Sequence, residues 1–218
     1  IPIISLVLGT VSGVSALAVG LSDFVILSAD HGQMFMRSPY FIPEIISGEI
    51  DEETLGGAQS HASRSGVSCL IADDEDEAID IAAEILAYLP DHTLAEPLNI
   101  KSGDEWDRSC DKLVNLVPSD SNRPYDMVKV IKEIVDEGRF LEFFPTFAEN
   151  ILIGFARLDG QPVGIVANQP KVLAGCLDID ASVKAARFIR TCDIFNIPVV
   201  TLVDVPGFLP GTVQEWGG

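Results

Sequence analysis

Basic residues are scarce: 14 lysines and arginines stand against 33 aspartates and glutamates in 218 residues, a net charge of −19. Such a surface repels phosphate backbones and disfavours generic nucleic-acid binding. Cysteine and histidine are also sparse. The four cysteines, Cys69, Cys110, Cys176 and Cys192, lie far apart with no C-x-x-C pair. They form neither a metal spacing nor a dense disulfide frame, so a reducing cytoplasm, or a mitochondrial matrix in a eukaryote, is the expected compartment. The three histidines are scattered, and no H-E-x-x-H, P-loop, G-x-S-x-G or G-x-G-x-x-G occurs. Long apolar runs are missing too. Ile3 to Leu27 comes closest to a membrane span but is broken by Gly9, Gly13, Gly20 and Asp23. The opening Ile-Pro lacks a basic n-region, so no signal peptide is expected.

What remains is an ordinary globular composition, 47% hydrophobic and 22% charged. Ile3 to Leu8 is a β-branched apolar run that predicts a buried strand, followed by a small-residue helix over Gly13 to Leu21 and strands at Asp23 to Ser28 and Gln33 to Met36. Ser38 is placed to cap a helix starting at Pro39. Asp73 to Leu89 is the clearest amphipathic helix, stopped by Pro90, with Asp73 to Glu77 as its acidic start. Residues 91–124 turn polar and proline-containing and are read as a linker, with room for a short helix over Glu105 to Leu113. Beyond it come a helix over Met127 to Asp136 and a strand at Phe140 to Phe144. A hairpin follows, Ile151 to Leu158 and Val163 to Ala167, turned at Asp159-Gly160. A helix over Ala181 to Phe195 leads to a buried strand, Val199 to Asp204, entering the glycine- and proline-rich loop Val205 to Gly211. Strands alternating with helices predict an α/β protein, with units at 1–90 and 125–218. One local echo, Ile1-Pro-Ile-Ile-Ser-Leu-Val7 against Ile197-Pro-Val-Val-Thr-Leu-Val203, fits two related domains and also fits coincidence.

The stretch Val163-Gly-Ile-Val-Ala-Asn-Gln-Pro170 is followed by Gly175-Cys-Leu-Asp-Ile-Asp-Ala-Ser182 and Cys192-Asp-Ile-Phe-Asn-Ile-Pro198. Next come Asp204-Val-Pro-Gly-Phe-Leu-Pro-Gly211 and Gln214-Glu-Trp-Gly-Gly218. In this order and spacing they closely resemble the carboxyltransferase (β) subunits of biotin-dependent acyl-CoA carboxylases of the propionyl-CoA carboxylase type. More loosely, Ile4-Ser-Leu-Val-Leu-Gly9, Leu21-Ser-Asp-Phe24, Leu55-Gly-Gly-Ala58, His61 and Ser65-Gly66 resemble the end of that family's N-terminal domain. The resemblance implies a crotonase-like ββα superhelix. Residues 1–90 would end one domain and 125–218 would begin a second, related one, with further chain on both sides.

It also implies a chemistry. Carboxybiotin, carried on a partner protein, would supply CO2 and the base, and the α-carbon of an acyl-CoA, of the propionyl or acetyl class, would receive the carboxyl group. Enolates of biotin and of the thioester would each need pre-aimed backbone N–H donors, which stabilise an oxyanion by several kcal/mol. Side-chain acids and bases would be largely dispensable. The biotin-side turn would be Gly13-Val14, where the family shows Gly-Gly; Val14 stiffens and crowds it. Gly175 and Cys176, with Ala167, Asn168 and Gln169, would belong to the acyl-CoA face. Lys184 and Arg187, one helical turn apart, would meet CoA phosphates unless they are ordinary surface cations. Gly207 and Phe208 would border the active-site canyon unless they form a plain turn. His61 is read as structural, and no pairing supports Cys176 as a nucleophile. The implied partners are a biotin carboxylase and a biotin carboxyl carrier protein or domain, in a homo- or hetero-oligomer. Two further roles stay open: the carboxyltransferase subunit of a biotin-dependent decarboxylase or transcarboxylase, and a non-catalytic assembly subunit of the same fold.

Overall fold

The computed structural model describes residues 1–92, 94–120 and 123–217; Gly218, the last residue of the Gln214 motif, lies outside the described residues, as do Thr93, Ser121 and Asn122 of the expected linker. The chain forms two units, one of residues 1–87 with 144–147 and one of residues 88–143 with 148–218. Among the described residues no helix is long and apolar enough to cross a membrane.

The first unit opens with β1 (Ile4–Val7), β2 (Thr10–Ser12), α1 (Val14–Gly20), β3 (Phe24–Ser28) and β4 (Gln33–Phe35). Short turns of helix follow, at Pro39–Phe41 (3-10), α2 (Pro43–Ile46), α3 (Glu52–Gly56), α4 (Ala58–Ser60) and a π-helical turn at His61–Ser65, then β5 (Leu70–Ala72) and α5 (Glu75–Tyr88). Two parallel sheets result, β1-β3-β5 and β2-β4. Every residue of the central strand β3 is buried, because it has neighbours on both sides. Its core partners are Val7, Ala16, Met34 and Ala58. The acidic stretch before α5 works as a cap: Asp74 accepts from the Glu77 N–H at 2.8 Å, and the Glu77 carboxylate reaches back to the Asp73 N–H. Ser38, by contrast, makes no side-chain cap at Pro39.

The second unit contains α6 (Leu113–Leu116), α7 (Met127–Ile134), a 3-10 turn at Asp136–Gly138, β6 (Leu141–Phe143), β7 (Ile151–Leu158), β8 (Gln161–Asn168), a 3-10 turn at Leu173–Gly175, α8 (Ile179–Ile194), β9 (Val199–Leu202) and α9 (Thr212–Gly217). Its sheet runs β6-β7-β8-β9, antiparallel except for the β8/β9 pair, which α8 connects as a parallel crossover. The Asp159-Gly160 hairpin forms, with φ of 50° and 77° at the two turn residues, as a two-residue primed turn requires. Both of its N–H groups donate to the Asp136 carboxylate, at 3.1 and 2.7 Å.

The described residues of 91–124 group with this unit. Ile100 N–H donates to Gly160 O, and Arg157 to Leu98 O. No helix spans Glu105 to Leu113; helix begins only at Leu113. There Arg108 is drawn to the Ile134 and Val135 carbonyls at the end of α7, where a cation suits the helix dipole. The burial expected of the two echoed segments is corrected as well. In β1 only Val7 is buried, and in β9 no residue is, Thr201 being exposed and the other three half-exposed. Each lies at the edge of its sheet, so one of its sides meets no strand.

Candidate functional site

In the first unit the candidate turn joins β2 to α1. Gly13 has φ 66° and ψ −132°, a conformation L side chains rarely adopt, although no atom lies within 4 Å of where a Cβ would stand. Glycine is therefore required here by torsion and not by space. Its N–H donates to Phe35 O at 3.0 Å, so Gly13 is not itself a free oxyanion donor. The donor passes to the next residue: Val14 opens α1, where a helical N–H has no intrahelical acceptor. Val14 is 84% exposed. His61 is structural, as expected, bonded to Met34 O and Ser65 Oγ, both at 2.8 Å.

In the second unit three buried amides tie the sheet to its loops. Ala167 lies inside the sheet, paired with Leu152 and with Leu202. Asn168 donates to Gly175 O at 3.0 Å and accepts from the Asp204 N–H at 3.3 Å. Gln169 accepts from the Met127 N–H and donates to Asp126, fixing the start of α7. Burial alone would raise the pKa of Asp126, but bonds from Gln169, Lys171 and the Val128 N–H outweigh it and hold the carboxyl below its usual range. Asn150, which sequence reasoning missed, donates to Cys176 O and Asp178. Asn168 and Gln169 thus clamp protein to protein. An amide looks the same in sequence whether it faces a ligand or a neighbouring loop.

Gly175 and Cys176 are also engaged within the protein. Their N–H groups donate to Val172 O and Leu173 O at 2.9 and 3.0 Å, which engages them inside the turn. Gly175 has φ 77°, and a Cβ there would stand 2.6 Å from Asp204 O. Its missing side chain admits the Asp204 backbone, so a valine in its place would disturb the fold and not merely a substrate. Lys184 is turned inward. It is 4% exposed, and its ammonium donates to Ala148 O at 3.2 Å. Burial pulls its pKa down to about 8 against the opposing pull of Glu142 and Glu149, so it offers no surface charge for a phosphate. Arg187 is half-buried on the next turn of α8.

The loop after β9 is built on those clamps. Leu177 N–H donates to Gly207 O at 3.1 Å and Leu209 N–H to Leu177 O at 2.8 Å. In such a parallel bridge Phe208 directs its own N–H and C=O away from Leu177. Gly207 and Gly211 take φ of 151° and 134°, and Phe208 is 78% exposed. Beside the loop a cavity of about 600 Å³ is lined by Tyr125, Lys171, Ala174, Asp204, Val205 and Pro206 among others. The Tyr125 hydroxyl donates to Asp204 at 2.7 Å. Among the described residues no three His, Cys, Asp or Glu side chains come together to hold a metal ion.

Residues 1–218 match the carboxyl transferase domain family. The methylmalonyl-CoA decarboxylase subunit alpha of Veillonella parvula is 48% identical over 218 residues, covering 100% of this chain and 43% of that protein. The propionyl-CoA carboxylase beta chain of Saccharopolyspora erythraea is 47% identical over 226 residues, covering 100% and 41%. The structure of transcarboxylase 12S, a hexamer assembly with methylmalonyl-CoA bound, superposes with a TM-score of 0.93 at 42% identity, covering 100% of this chain and 42% of that one. The chain spans less than half the length of these relatives. Its mixed α/β fold is the crotonase-like fold of these carboxyltransferases. With all 218 residues matched and both units accounted for, the chain belongs to the carboxyl transferase domain family.

Proposed function

We propose that the full-length protein transfers a carboxyl group between carboxybiotin, presented by a carrier protein or domain, and the α-carbon of an acyl-CoA of the propionyl or acetyl class. The observation that carries this reading is that each unit holds a turn whose backbone N–H lies outside the neighbouring hydrogen-bond ladder, at Val14 and at Phe208, within a chain matched along its whole length to the carboxyl transferase domain family. When bound, carboxybiotin supplies the CO2 and a ureido nitrogen able to take the substrate's α-proton. The protein's part is to orient the reactants and to place donors where charge develops on oxygen. That division of labour fits two turns built from backbone. We place Val14, entered through Gly13, on the biotin side, and the Gly207-Phe208 peptide, held by Asn168 and the Gly175 turn, on the thioester side. The domain reading goes with it: residues 1–90 end one carboxyltransferase domain and 125–218 begin the next. A biotin carboxylase, a biotin carrier and further copies of the chain are the fitting partners, and four free thiols suit a reducing compartment.

The test incubates the full-length protein with methylmalonyl-CoA and a biotinylated carrier protein, and then with propionyl-CoA and the carboxylated carrier. Avidin-sensitive carboxyl transfer is expected in both directions. Transfer in neither would remove the catalytic reading and leave the assembly role. A second reading has its own support: the relative from Veillonella parvula is a decarboxylase subunit, so net flow in the cell would run from acyl-CoA to biotin. Direction is set by the partner that consumes or supplies carboxybiotin, and co-purification of a biotin carboxylase would favour carboxylation.

A further inference from the structure

Asp204, the first residue beyond β9, is held at three points. Its N–H donates to Asn168 Oδ1 at 3.3 Å, and its carbonyl fits against Gly175, where a Cβ would come within 2.6 Å. Its carboxylate accepts from the Tyr125 hydroxyl at 2.7 Å. The first two points belong to the loop's own neighbours after β8. The third comes from a different part of the chain, just before α7. Tyr125 is firmly seated there: Asp126 caps α7 at the Val128 N–H, Gln169 holds Asp126 and the Met127 N–H, and Lys171 pairs with Asp126 at 3.3 Å. Tyr125 also packs against the core formed by Ile131, Leu152 and Ile165. A phenol fixed at its base and bonded to a carboxylate at its tip resists displacement of the loop.

We infer that Tyr125 is a positioning residue, whose hydroxyl holds Asp204 at the wall of the adjoining cavity and thereby aims the Gly207-Phe208 peptide that follows in the same loop. Tyr125 and Asp204 both line that cavity, and its remaining wall includes Ala174, Val205 and Pro206. Burial, together with the bond and the charge of Asp204, raises the phenol's pKa to about 12, so the donor keeps its proton throughout the range in which an enzyme is assayed. The hydrogen bond is charge-assisted, the stronger class. Misplacing a backbone donor by a fraction of an ångström weakens oxyanion stabilisation without removing substrate contacts. The expected signature is therefore a fall in kcat with KM little changed.

This inference rests on the proposed carboxyl transfer, and the experiment separates the two. In the full-length protein, Tyr125→Phe is expected to lower kcat of the acyl-CoA half-reaction about tenfold, equivalent to about 1.4 kcal/mol, while the biotin half-reaction and the melting temperature stay near wild type. Asp204→Ala should reproduce the loss, and Asp204→Asn, whose amide oxygen still accepts from the phenol, should lose less. The Tyr125→Phe/Asp204→Ala double variant should be no worse than the poorer single one. An active wild type with a silent Tyr125→Phe overturns the inference alone. So does a loss shared equally by both half-reactions and tracking the melting temperature, which would mark a merely structural role. A wild type that transfers no carboxyl group overturns the function and the inference together.

Discussion

Val14 is β-branched, 84% exposed, and carries the first N–H of α1, the donor proposed to meet an oxyanion in the first unit. Glycine there would clear the approach, at a cost of up to about 1 kcal/mol in helix propensity. In the full-length protein Val14→Gly is expected to raise the rate of carboxybiotin decarboxylation by up to about tenfold, for roughly 1.4 kcal/mol of recovered oxyanion stabilisation. Measuring the two half-reactions separately checks the placement. A gain confined to the acyl-CoA half would move the turn to the thioester side, and no change in either would remove it from catalysis. Gly13 and Gly175 show how alike two glycines read in sequence. Both have positive φ, yet Gly13 has open space around it, while Gly175 is closed off by the Asp204 carbonyl.

Lys184 shows what an element does to a residue. On α8 it points inward, so its charge faces burial, the Ala148 carbonyl, and the carboxylates Glu142 and Glu149. The folded state gives up this proton near pH 8, whereas an unfolded chain keeps it until about 10.4. Between those values the unfolded state binds more protons, so this group's contribution makes stability rise with pH across that window. Relative to Lys184→Met, the wild type should therefore gain stability from pH 8 to pH 10, read as denaturation midpoints at constant ionic strength. A difference that stays flat with pH would show that Lys184 titrates normally. The same inward turn removed Lys184 from the phosphate-binding role its spacing with Arg187 suggested.

At the scale of the whole molecule, both units present apolar side chains to solvent. In the first, Val14, Leu17 and Leu21 are 84%, 53% and 76% exposed along and just beyond α1; in the second, Val203, Phe208 and Trp216 are 71%, 78% and 84% exposed. Exposed apolar patches and open strand edges such as β1 and β9 favour association. A polypeptide limited to residues 1–218 is expected to self-associate, and a stable monomer by light scattering would refute this. The fold was largely legible from local signals: β3, β7 and β8 from buried apolar runs, the Asp159-Gly160 turn from its dipeptide, and α5 from its acidic cap and Pro90. The edge positions of β1 and β9 were not, since an Ile-Pro-rich run reads the same in the middle of a sheet as at its rim.

The sequence alone determined the class of elements, their order and the family, because periodicity, turn residues and a chain of motifs at fixed intervals are local properties. Tertiary structure decided which of the marked residues are available to chemistry. Asn168, Gln169, Gly175 and Cys176 belong to conspicuous motifs, but hydrogen bonds across 7 to 43 residues engage the two amides, and bonds within the turn engage the two N–H groups. Tyr125, which no sequence motif marks, meets Asp204 across 79 residues of sequence. A donor is free or engaged according to what the folded chain brings within about 3 Å of it, and no local pattern carries that information.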